Sequence, residues 1–582
     1  MKDKYTNERN IQMLIYLLKK NNIRKVIINP GTMNFSFVAS IQNDNFFELY
    51  SCVDERSACY MACGLAAESN EVVVLTCTGA TASRNYMPGM TEAFYRKLPL
   101  LAITCTPHLA NIGQNIPQMI DRRVQLNDTF KYTTYISPIK NSNDEWNDTV
   151  LLNEAILELN HNGKGPVLIN LGTELTKVFD CVELPEFRVM RRYYSYEELP
   201  RIVNKENIGI YIGNHEVIDE QLIQEIDKFC EKYNSVVICD HTSNYNGKYG
   251  IYANIICDQE KYISSLNNFD LLIHIGNTSG AYLSLNVNEV WRVNIDGHIR
   301  DTFKKLTNVY EMDEYTFFKK YNEMSDNFKL EFFEKWKKEY DEIVNCVDLE
   351  KIDFSNLWIA GKVLPKIPSG AKVHLAILNS LRSWNYFSSS NKVSYYCNTG
   401  GFGIDGFLST LIGASFYDKN KNYFGITGDL AFFYDMNSLG NRYVGNNLRI
   451  MLINNGCGTE FHNYSHPASV IGDNNISDFI AADAHFGNKS KDLVRNYAEN
   501  LGFEYITASS KKEFEKKLEY FVSNEIYKKP IIFEVFTNST DESNALYKIR
   551  NLKKSISGEF KSNVNKVISP KLKSKIKGLI GR

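Results

Sequence analysis

The sequence predicts an α/β protein with three doubly wound parallel-sheet domains. Short apolar runs such as "EVVVLTCTG" and "LRIMLINNG" end in glycine or polar residues and alternate with helical patterns along the whole chain. Continuous apolar runs of this kind are typical of strands that are buried on both faces of a parallel sheet. A chain of 582 residues is also too long for one core, and three domains of ordinary size fit its length.

Three groups of apolar runs set the predicted domain boundaries. Charged, tyrosine-rich stretches near residues 186–200 and 320–352 separate the groups and resemble linkers. We therefore predict an N-terminal domain at 1–185, a central domain at 190–350, a C-terminal domain at 351–545 and a basic amphipathic tail at 546–582.

The composition indicates an ordinary globular protein of the cytoplasm. The chain is 43% hydrophobic and 23% charged, and its net charge of −2 gives no reason to expect a nucleic-acid partner. Its twelve cysteines include no CxxC pair, which favours reduced thiols over disulfides or a zinc site. The N-terminal "IQMLIYLLKK" places Ile11, Leu14, Ile15 and Leu18 on one stripe, so we predict an amphipathic first helix and no signal peptide.

The C-terminal tail differs from the rest of the chain. From Lys548 to Arg582 there are eleven basic residues and a single acid, Glu559, with apolar residues at helical spacing. A basic amphipathic tail can lie on the anionic inner face of a membrane or dock on a partner. A membrane location would suit a function such as surface-glycan assembly. A solvated terminal extension is an equally open interpretation.

Two polar residues stand at the ends of successive predicted strands in the C-terminal domain. Asp429 follows "NYFGITG", and Asn454 and Asn455 end "LRIMLINN". Because ligands bind at the carboxyl ends of parallel strands, Asp429 and Asn455 could offer a carboxylate and an amide oxygen to Mg²⁺. The alternative is that Asp429 caps a helix and both asparagines are turn residues.

The spacing of Gly428-Asp429 and Asn454-Asn455 resembles the signature of thiamine diphosphate-dependent enzymes of the acetolactate synthase and pyruvate decarboxylase type. Leu430 replaces the second glycine of the usual GDG, as in the MenD-like branch of the menaquinone pathway. The resemblance implies that Mg²⁺ is bound by the side chains of Asp429 and Asn455 and by the carbonyl of Cys457. Gly428 and Leu430 would adjoin the cofactor.

Two further segments of the C-terminal domain are similar to cofactor-binding parts of this superfamily. In "NTGGFGIDGFLSTLIGAS", Ile404 matches the large apolar residue that holds the cofactor bent, with Gly403 and Asp405 beside it. In "NSLRSWNYF", the resemblance implies cofactor contacts for Asn379 and Ser380. Taken alone, the first segment could also be a glycine-rich strand-to-helix turn.

The N-terminal domain contains a segment that resembles the pyrimidine-binding half of these enzymes. In "ELYSCVDERSACYMACGLAAES", the essential catalytic glutamate falls at Glu55; without that context, an acid here would merely favour the helix dipole. In "IGQNIPQMID", Gln118 matches a substrate-side glutamine. His108, His462 and His466 are candidate proton carriers, with a structural role as the alternative.

The resemblance implies a carboligase that depends on thiamine diphosphate and Mg²⁺. Such an enzyme decarboxylates a 2-oxo acid and transfers the acyl carbanion to a carbonyl acceptor. The glutamate-bearing domain of one subunit would face the metal-bearing domain of another, which makes a homodimer or homotetramer. A simple decarboxylase that releases an aldehyde and a non-catalytic homologue are the alternatives.

The chain departs from the MenD-like pattern where arginines read substrate carboxylates. Met33, Trp384 and Thr399 stand at three such places, and Pro107-His108 at a fourth. Neither methionine nor tryptophan can replace a guanidinium that binds a carboxylate through two hydrogen bonds. We therefore expect a substrate that differs from that of the menaquinone enzyme.

Overall fold

The computed structural model describes residues 4–281, 283–324, 331–389, 392–483, 485 and 490–555. The described chain divides into two compact units. Residues 4–193 and 297–309 form the first, and the remaining described residues form the second. Open parallel sheets with intervening helices build both units, which confirms the predicted α/β fold class.

The first unit contains a six-stranded parallel sheet in the order β2-β1-β3-β4-β6-β5. Its strands are β1 (Lys25–Ile28), β2 (Glu48–Ser51), β3 (Val73–Thr78), β4 (Leu100–Thr106), β5 (Tyr132–Ile136) and β6 (Val167–Gly172). Its helices are α1 (Arg9–Lys20), α2 (Phe35–Ile41), α3 (Glu55–Ser69), α4 (Thr81–Asn85), α5 (Met87–Arg96) and α6 (Ser142–Glu158).

Helices cover both faces of this sheet and create two cores. The first helix presents Ile11, Leu14, Ile15 and Leu18 to one core, and all four are fully buried. The predicted amphipathic first helix is therefore confirmed. The other core holds the small residues of α3, such as Ala62, against the opposite face of the sheet.

The second unit contains two large sheets. One has parallel strands in the order β10-β9-β8-β12-β14, all within this unit, and its seven strands are completed by β15 and β7, whose residues are divided between the two units. These strands are β7 (Arg191–Tyr194), β8 (Ile208–Ile212), β9 (Ser235–Cys239), β10 (Gly250–Tyr252), β12 (Leu271–Ile275), β14 (Val290–Val293) and β15 (Leu306–Glu311). A separate two-stranded sheet pairs β11 (Asn268–Phe269) with β13 (Asn286–Val287). The helices of this region are α7 (Glu220–Tyr233), α8 (Asn254–Cys257), α9 (Glu314–Met324) and α10 (Glu331–Val344).

The other large sheet of the second unit has six parallel strands in the order β17-β16-β18-β19-β21-β20. Its strands are β16 (Lys372–Leu375), β17 (Ser394–Tyr396), β18 (Tyr423–Gly428), β19 (Leu448–Asn454), β20 (Glu504–Ala508) and β21 (Ile531–Phe536). Its helices are α11 (Asn356–Val363), α12 (Asn379–Trp384), α13 (Phe407–Ser415), α14 (Asp429–Asp435), α15 (Asp473–Ile476), α16 (Leu493–Asn500), α17 (Lys511–Val522) and α18 (Ser539–Ile549). The central strands β18 and β19 are adjacent and in register, which brings their carboxyl ends side by side.

The start of the predicted tail belongs to this ordered fold. Helix α18 crosses the predicted boundary at residue 546, and Ile549 is fully buried. The rest of the predicted amphipathic tail, from Ile556 onward, lies outside the described residues. Within the described part of the chain, no helix is both long and apolar enough to cross a membrane.

Candidate functional site

A pocket in the second unit opens at the carboxyl ends of β16, β18 and β19. This is the edge at which parallel α/β sheets bind ligands. The pocket brings together most of the predicted cofactor and metal residues: Asn379, Ser380, Ile404, Gly428, Asp429, Leu430, Asn455 and Cys457. These residues come from four separate segments of the sequence, and the sheet order places them around one space.

Asp429 is a buried carboxyl group at the first position of α14. Its Oδ1 accepts a hydrogen bond of 2.8 Å from the amide of Leu430, and its Oδ2 accepts one of 2.7 Å from the amide of Gly456. Burial raises the pKa of Asp429 to about 7, because neutral backbone donors only partly offset the cost of a buried charge. A divalent cation in the pocket would supply the missing positive charge.

The two adjacent asparagines at the end of β19 have different surroundings. Asn454 is buried and donates a hydrogen bond of 2.7 Å to Oε1 of Glu534, on the neighbouring strand β21. Asn455 lines the pocket, and its Oδ1 is buried without a hydrogen-bond partner among the described residues. A buried amide oxygen without a donor is unfavourable, and a metal ion is one group that would satisfy it.

The loop after Asn455 turns back toward the pocket. Gly456 has φ of +83°, a left-handed conformation that glycine adopts without strain. The carbonyl of Cys457 accepts a hydrogen bond of 2.9 Å from the amide of Thr459. A carbonyl oxygen has two lone pairs, so this contact leaves one for the predicted third metal ligand.

Other residues of the pocket lining are apolar or have unusual backbone angles. Ile404 is half-buried and lines the pocket; Gly403 and Asp405 flank it, and a side chain at 403 would require the exposed Asp405 carboxylate to shift. Leu378 has φ of +70° and ψ of −124°, a conformation that a leucine rarely adopts. A Cβ on Gly428 would meet no atom within 4 Å, so this part of the lining is open toward the pocket.

These features fit thiamine diphosphate with Mg²⁺. Asp429 and Asn455 offer oxygen ligands of the kind that Mg²⁺ prefers, in a pocket that also has an apolar wall. The described residues contain no cluster of three or more His, Cys, Asp or Glu side chains that would hold a metal alone. A cation here would therefore need further ligands, such as the oxygens of a diphosphate.

A second acid near this pocket, Glu542, is partly buried and was not predictable from the sequence. Glu542 accepts hydrogen bonds from the amide of Asn356 at 2.9 Å and from the hydroxyl of Thr537 at 2.8 Å. Burial raises its pKa to about 7, and the charge of Asp429 adds to this shift. In the sequence, Glu542 resembles an ordinary acid in the first turn of a helix, and only the fold brings it near Asp429.

In the first unit, the adjacent acids Asp54 and Glu55 lie at the start of α3, and only Asp54 caps the helix. Asp54 is the helix cap and accepts hydrogen bonds from the amides of Arg56 and Ser57, at 2.9 and 3.3 Å. Glu55 is half-buried, and its Oε2 accepts a hydrogen bond of 3.1 Å from Asn85. Because Asp54 already caps the helix, capping does not explain the presence of Glu55.

Gln118 lies in the loop that follows β4. It is exposed and has φ of +63°, an uncommon conformation for a residue with a side chain. Unusual backbone conformations are often kept at functional sites, so this geometry supports a functional role for the loop.

Two of the candidate histidines have structural contacts. The ring of His108 accepts a hydrogen bond from the amide of Ala110, and the ring of His466 accepts one from Ala468, both at 3.1 Å. Each ring therefore caps a short 3₁₀ helix. These contacts favour the structural alternative for both residues.

The residues that replace the expected arginines are integrated into the cores. Trp384 is fully buried, and its Nε1 donates a hydrogen bond of 3.2 Å to Asn356. Thr399 is buried and accepts a hydrogen bond of 2.7 Å from Asn214. Met33 is partly buried and packs against the core of the first unit.

Comparison with known proteins finds a matching family model and relatives that are similar along most of the chain. Residues 10–126 match the family model described as thiamine pyrophosphate enzyme, N-terminal TPP binding domain. The chain is 32% identical over 567 residues to the 2-succinyl-5-enolpyruvyl-6-hydroxy-3-cyclohexene-1-carboxylate synthase of Bacteroides fragilis, covering 93% of this chain and 98% of that protein. It is 30% identical to the synthase of Phocaeicola vulgatus, with the same coverage, and 28% identical to that of Flavobacterium psychrophilum, over 90% and 95% of the two chains.

Proposed function

The chain belongs to the 2-succinyl-5-enolpyruvyl-6-hydroxy-3-cyclohexene-1-carboxylate synthase family of thiamine diphosphate-dependent enzymes, and from this premise we propose that it is a carboligase. It would decarboxylate a 2-oxo acid and join the remaining acyl group to a carbonyl acceptor. The observation that carries the proposal is the pairing of the buried Asp429 carboxyl with the unpartnered Asn455 amide oxygen in one pocket.

In the proposed enzyme, the second unit holds the cofactor. Asp429, Asn455 and the carbonyl of Cys457 bind Mg²⁺, and Asn379 and Ser380 lie along the same pocket. Thiamine diphosphate, when bound, supplies an electron sink for the pair of electrons that remains when carbon dioxide leaves.

The side chains of the pocket wall and of the first unit would orient the reaction. Ile404 would exclude water from the pocket and pack its apolar side chain against the cofactor. Glu55 would hold a proton toward the pyrimidine ring of the cofactor, and Asn85 holds the Glu55 carboxylate in place through the 3.1 Å hydrogen bond. Gln118, on its exposed loop, would contact the substrate.

The proposal includes a homodimer, or a dimer of dimers, in the cytoplasm. In this superfamily the glutamate-bearing part of one subunit completes the metal-bearing part of another, and the chain carries both parts. The basic tail would add a contact with an anionic membrane surface, where surface glycans are assembled. This last element depends on the tail's charge alone.

We propose that the donor and acceptor together carry fewer carboxylates than those of the menaquinone enzyme. The positions of the expected arginines hold Trp384, Thr399 and Met33, which are committed to packing and hydrogen bonding within the cores. An acceptor without a carboxylate, such as an aldehyde, would need no arginine to bind it. The absence of arginines at these positions also supports a second candidate function, simple decarboxylation with release of an aldehyde.

The test is carbon dioxide release from a panel of 2-oxo acids in the presence of thiamine diphosphate and Mg²⁺, with and without aldehyde acceptors. Release that yields a coupled product with the acceptor would support the carboligase, and release with free aldehyde as the sole product would support the decarboxylase. Asp429→Asn and Asn455→Ala should lower activity in either case, because each change weakens the proposed metal site. Cofactor binding without turnover of any acid would contradict both functions, and the tail's membrane contact is tested by vesicle co-sedimentation.

A further inference from the structure

A second pocket, in the first unit, lies beside the buried side chain of Arg122. Arg122 follows β4 in the loop that carries Gln118, and only 5% of its surface is exposed. Its Nη1 donates to the hydroxyl of Thr104, which in turn donates a hydrogen bond of 3.2 Å to Asn170. The partners that hold this guanidinium are therefore neutral.

Within the described part of the chain, the positive charge of Arg122 has no counter-ion. Among the residues that the structure describes, none forms an ion pair with it, and its Nε is buried without a hydrogen-bond partner. Burial lowers the pKa of Arg122 to about 10 and raises that of the nearby Cys77 to about 12, so the thiol is neutral as well. An unpaired buried charge is costly, and folds usually compensate it with an anion.

The backbone makes room for this guanidinium. A Cβ on Gly79 would overlap Nη2 of Arg122 and lie 2.8 Å from its Cζ and 2.9 Å from the carbonyl oxygen of Cys105. A side chain at position 79 would therefore displace the arginine. The glycine after β3 and the arginine after β4 fit together as a pair.

The pocket beside Arg122 is mainly apolar. Its walls include Leu109, Ile112, Met119 and Leu151, together with the hydrogen-bonding side chains of Thr106 and Thr134. We propose that this pocket binds a small organic monocarboxylate with an apolar body, whose carboxylate pairs with Arg122. One guanidinium neutralises one carboxylate, whereas a phosphate dianion would retain a charge and a sugar would place hydroxyl groups against apolar walls.

Calorimetric titration of the full-length chain with benzoate and with neutral benzamide tests the site, without added cofactor. The wild type should bind benzoate at least tenfold more tightly than benzamide. Arg122→Gln should weaken benzoate binding by about 10- to 100-fold, the usual worth of a hydrogen bond to a charged group, and leave benzamide binding unchanged. Arg123→Gln is the matched control and should retain benzoate binding, because Asp121 already neutralises Arg123 through hydrogen bonds of 2.9 and 2.7 Å.

Equal affinity of the wild type for benzoate and benzamide would overturn the proposal, and this comparison does not depend on the folding of any variant. So would benzoate binding that survives Arg122→Gln. The melting temperature of Arg122→Gln gives an independent readout: the ligand-free variant should match or exceed the wild type, whereas a large fall would assign Arg122 a purely structural role.

Kinetic measurements would show whether the natural ligand of this pocket is a substrate or an effector. If the protein releases carbon dioxide from a 2-oxo acid, competition between that acid and benzoate would make the ligand a substrate. A change in rate at saturating 2-oxo acid would make it an effector. Because benzoate binding is measured without turnover, this test of the Arg122 pocket is independent of the proposed carboligase activity.

Discussion

The side-chain amide of Asn454 donates a hydrogen bond of 2.7 Å to Glu534, and this contact separates the roles of two adjacent asparagines. Asn454 joins β19 to β21 inside the sheet, whereas Asn455 lines the pocket and its side-chain oxygen has no hydrogen-bond partner among the described residues.

We expect Asn455→Ala to weaken Mg²⁺-dependent binding of thiamine diphosphate by about tenfold or more, because it removes an oxygen ligand of the metal. It should change the free energy of unfolding little, since that oxygen has no protein partner among the described residues. Asn454→Ala is the control. It should cost about 1–3 kcal/mol of stability by leaving Glu534 without its amide donor. Calorimetry and thermal denaturation of both variants measure these effects, and similar losses of cofactor affinity would contradict the assignment.

Glu55 and Asp54 offer a second matched pair. Glu55→Gln should lower the turnover rate by about 10²- to 10⁴-fold, the usual worth of a group that transfers a proton. Asp54→Ala should lower stability by about 1 kcal/mol through loss of the helix cap while turnover persists. Steady-state kinetics and melting temperatures of the two variants check this. Unchanged turnover in Glu55→Gln would remove Glu55 from the mechanism.

Asp148, on α6, should make stability depend on pH. It is fully buried, and burial raises its pKa from an ordinary 3.8 to about 7. Its contribution to stability is therefore fully present below about pH 4 and is lost as the pH rises through 7, where the buried carboxyl must ionise. Asp148→Asn cannot ionise and should be more stable than the wild type at pH 8, by up to about 4 kcal/mol, and of similar stability near pH 4. Denaturant unfolding at several pH values measures the difference, which should grow between pH 4 and 7; a constant difference would contradict it.

Two truncations should separate the docked part of the C-terminal segment from the remainder. Gln259 accepts hydrogen bonds from the amides of Leu552 and Lys553, at 2.9 and 3.1 Å, and Ile549 is fully buried. A chain that ends at Ser555 keeps these contacts and should match the full-length melting temperature. A chain that ends at Ala545 loses them and should be less stable by about 2–5 kcal/mol, the cost of removing a buried isoleucine.

The same truncation at Ser555 tests the proposed membrane contact. If the basic tail binds anionic vesicles, the full-length chain should sediment with them and the shortened chain should not. Equal sedimentation of the two chains would assign any membrane binding to another part of the protein.

The sequence was sufficient to predict the fold class and to predict that Asp429 and Asn455 lie close together. Buried strands have a local signature, and Asp429 and Asn455 follow two of them, so strand order alone brings them together. The different contacts of Asn454 and Asn455 were not predictable, because the contact of Asn454 depends on Glu534, 80 residues further along the chain.

The remaining features depend on contacts that leave no local pattern. Glu542 comes near Asp429 only through the packing of α18, and a sequence gives no sign that Arg122 is buried. Its partner Gly79 stands in a glycine-containing turn that many strand ends share. Trp384 was recognised as a departure from the arginine pattern, but its complete burial follows from tertiary packing.

Leu378 shows where the chain gives up stability for the geometry of its pocket. A leucine at φ of +70° and ψ of −124° costs about 1–3 kcal/mol relative to a glycine, which adopts such angles freely. A search for thermostable variants would therefore select Leu378→Gly, and the added freedom of the pocket wall would reduce its fit to the cofactor. Improvement of heat resistance at this position and retention of catalytic efficiency are opposing aims.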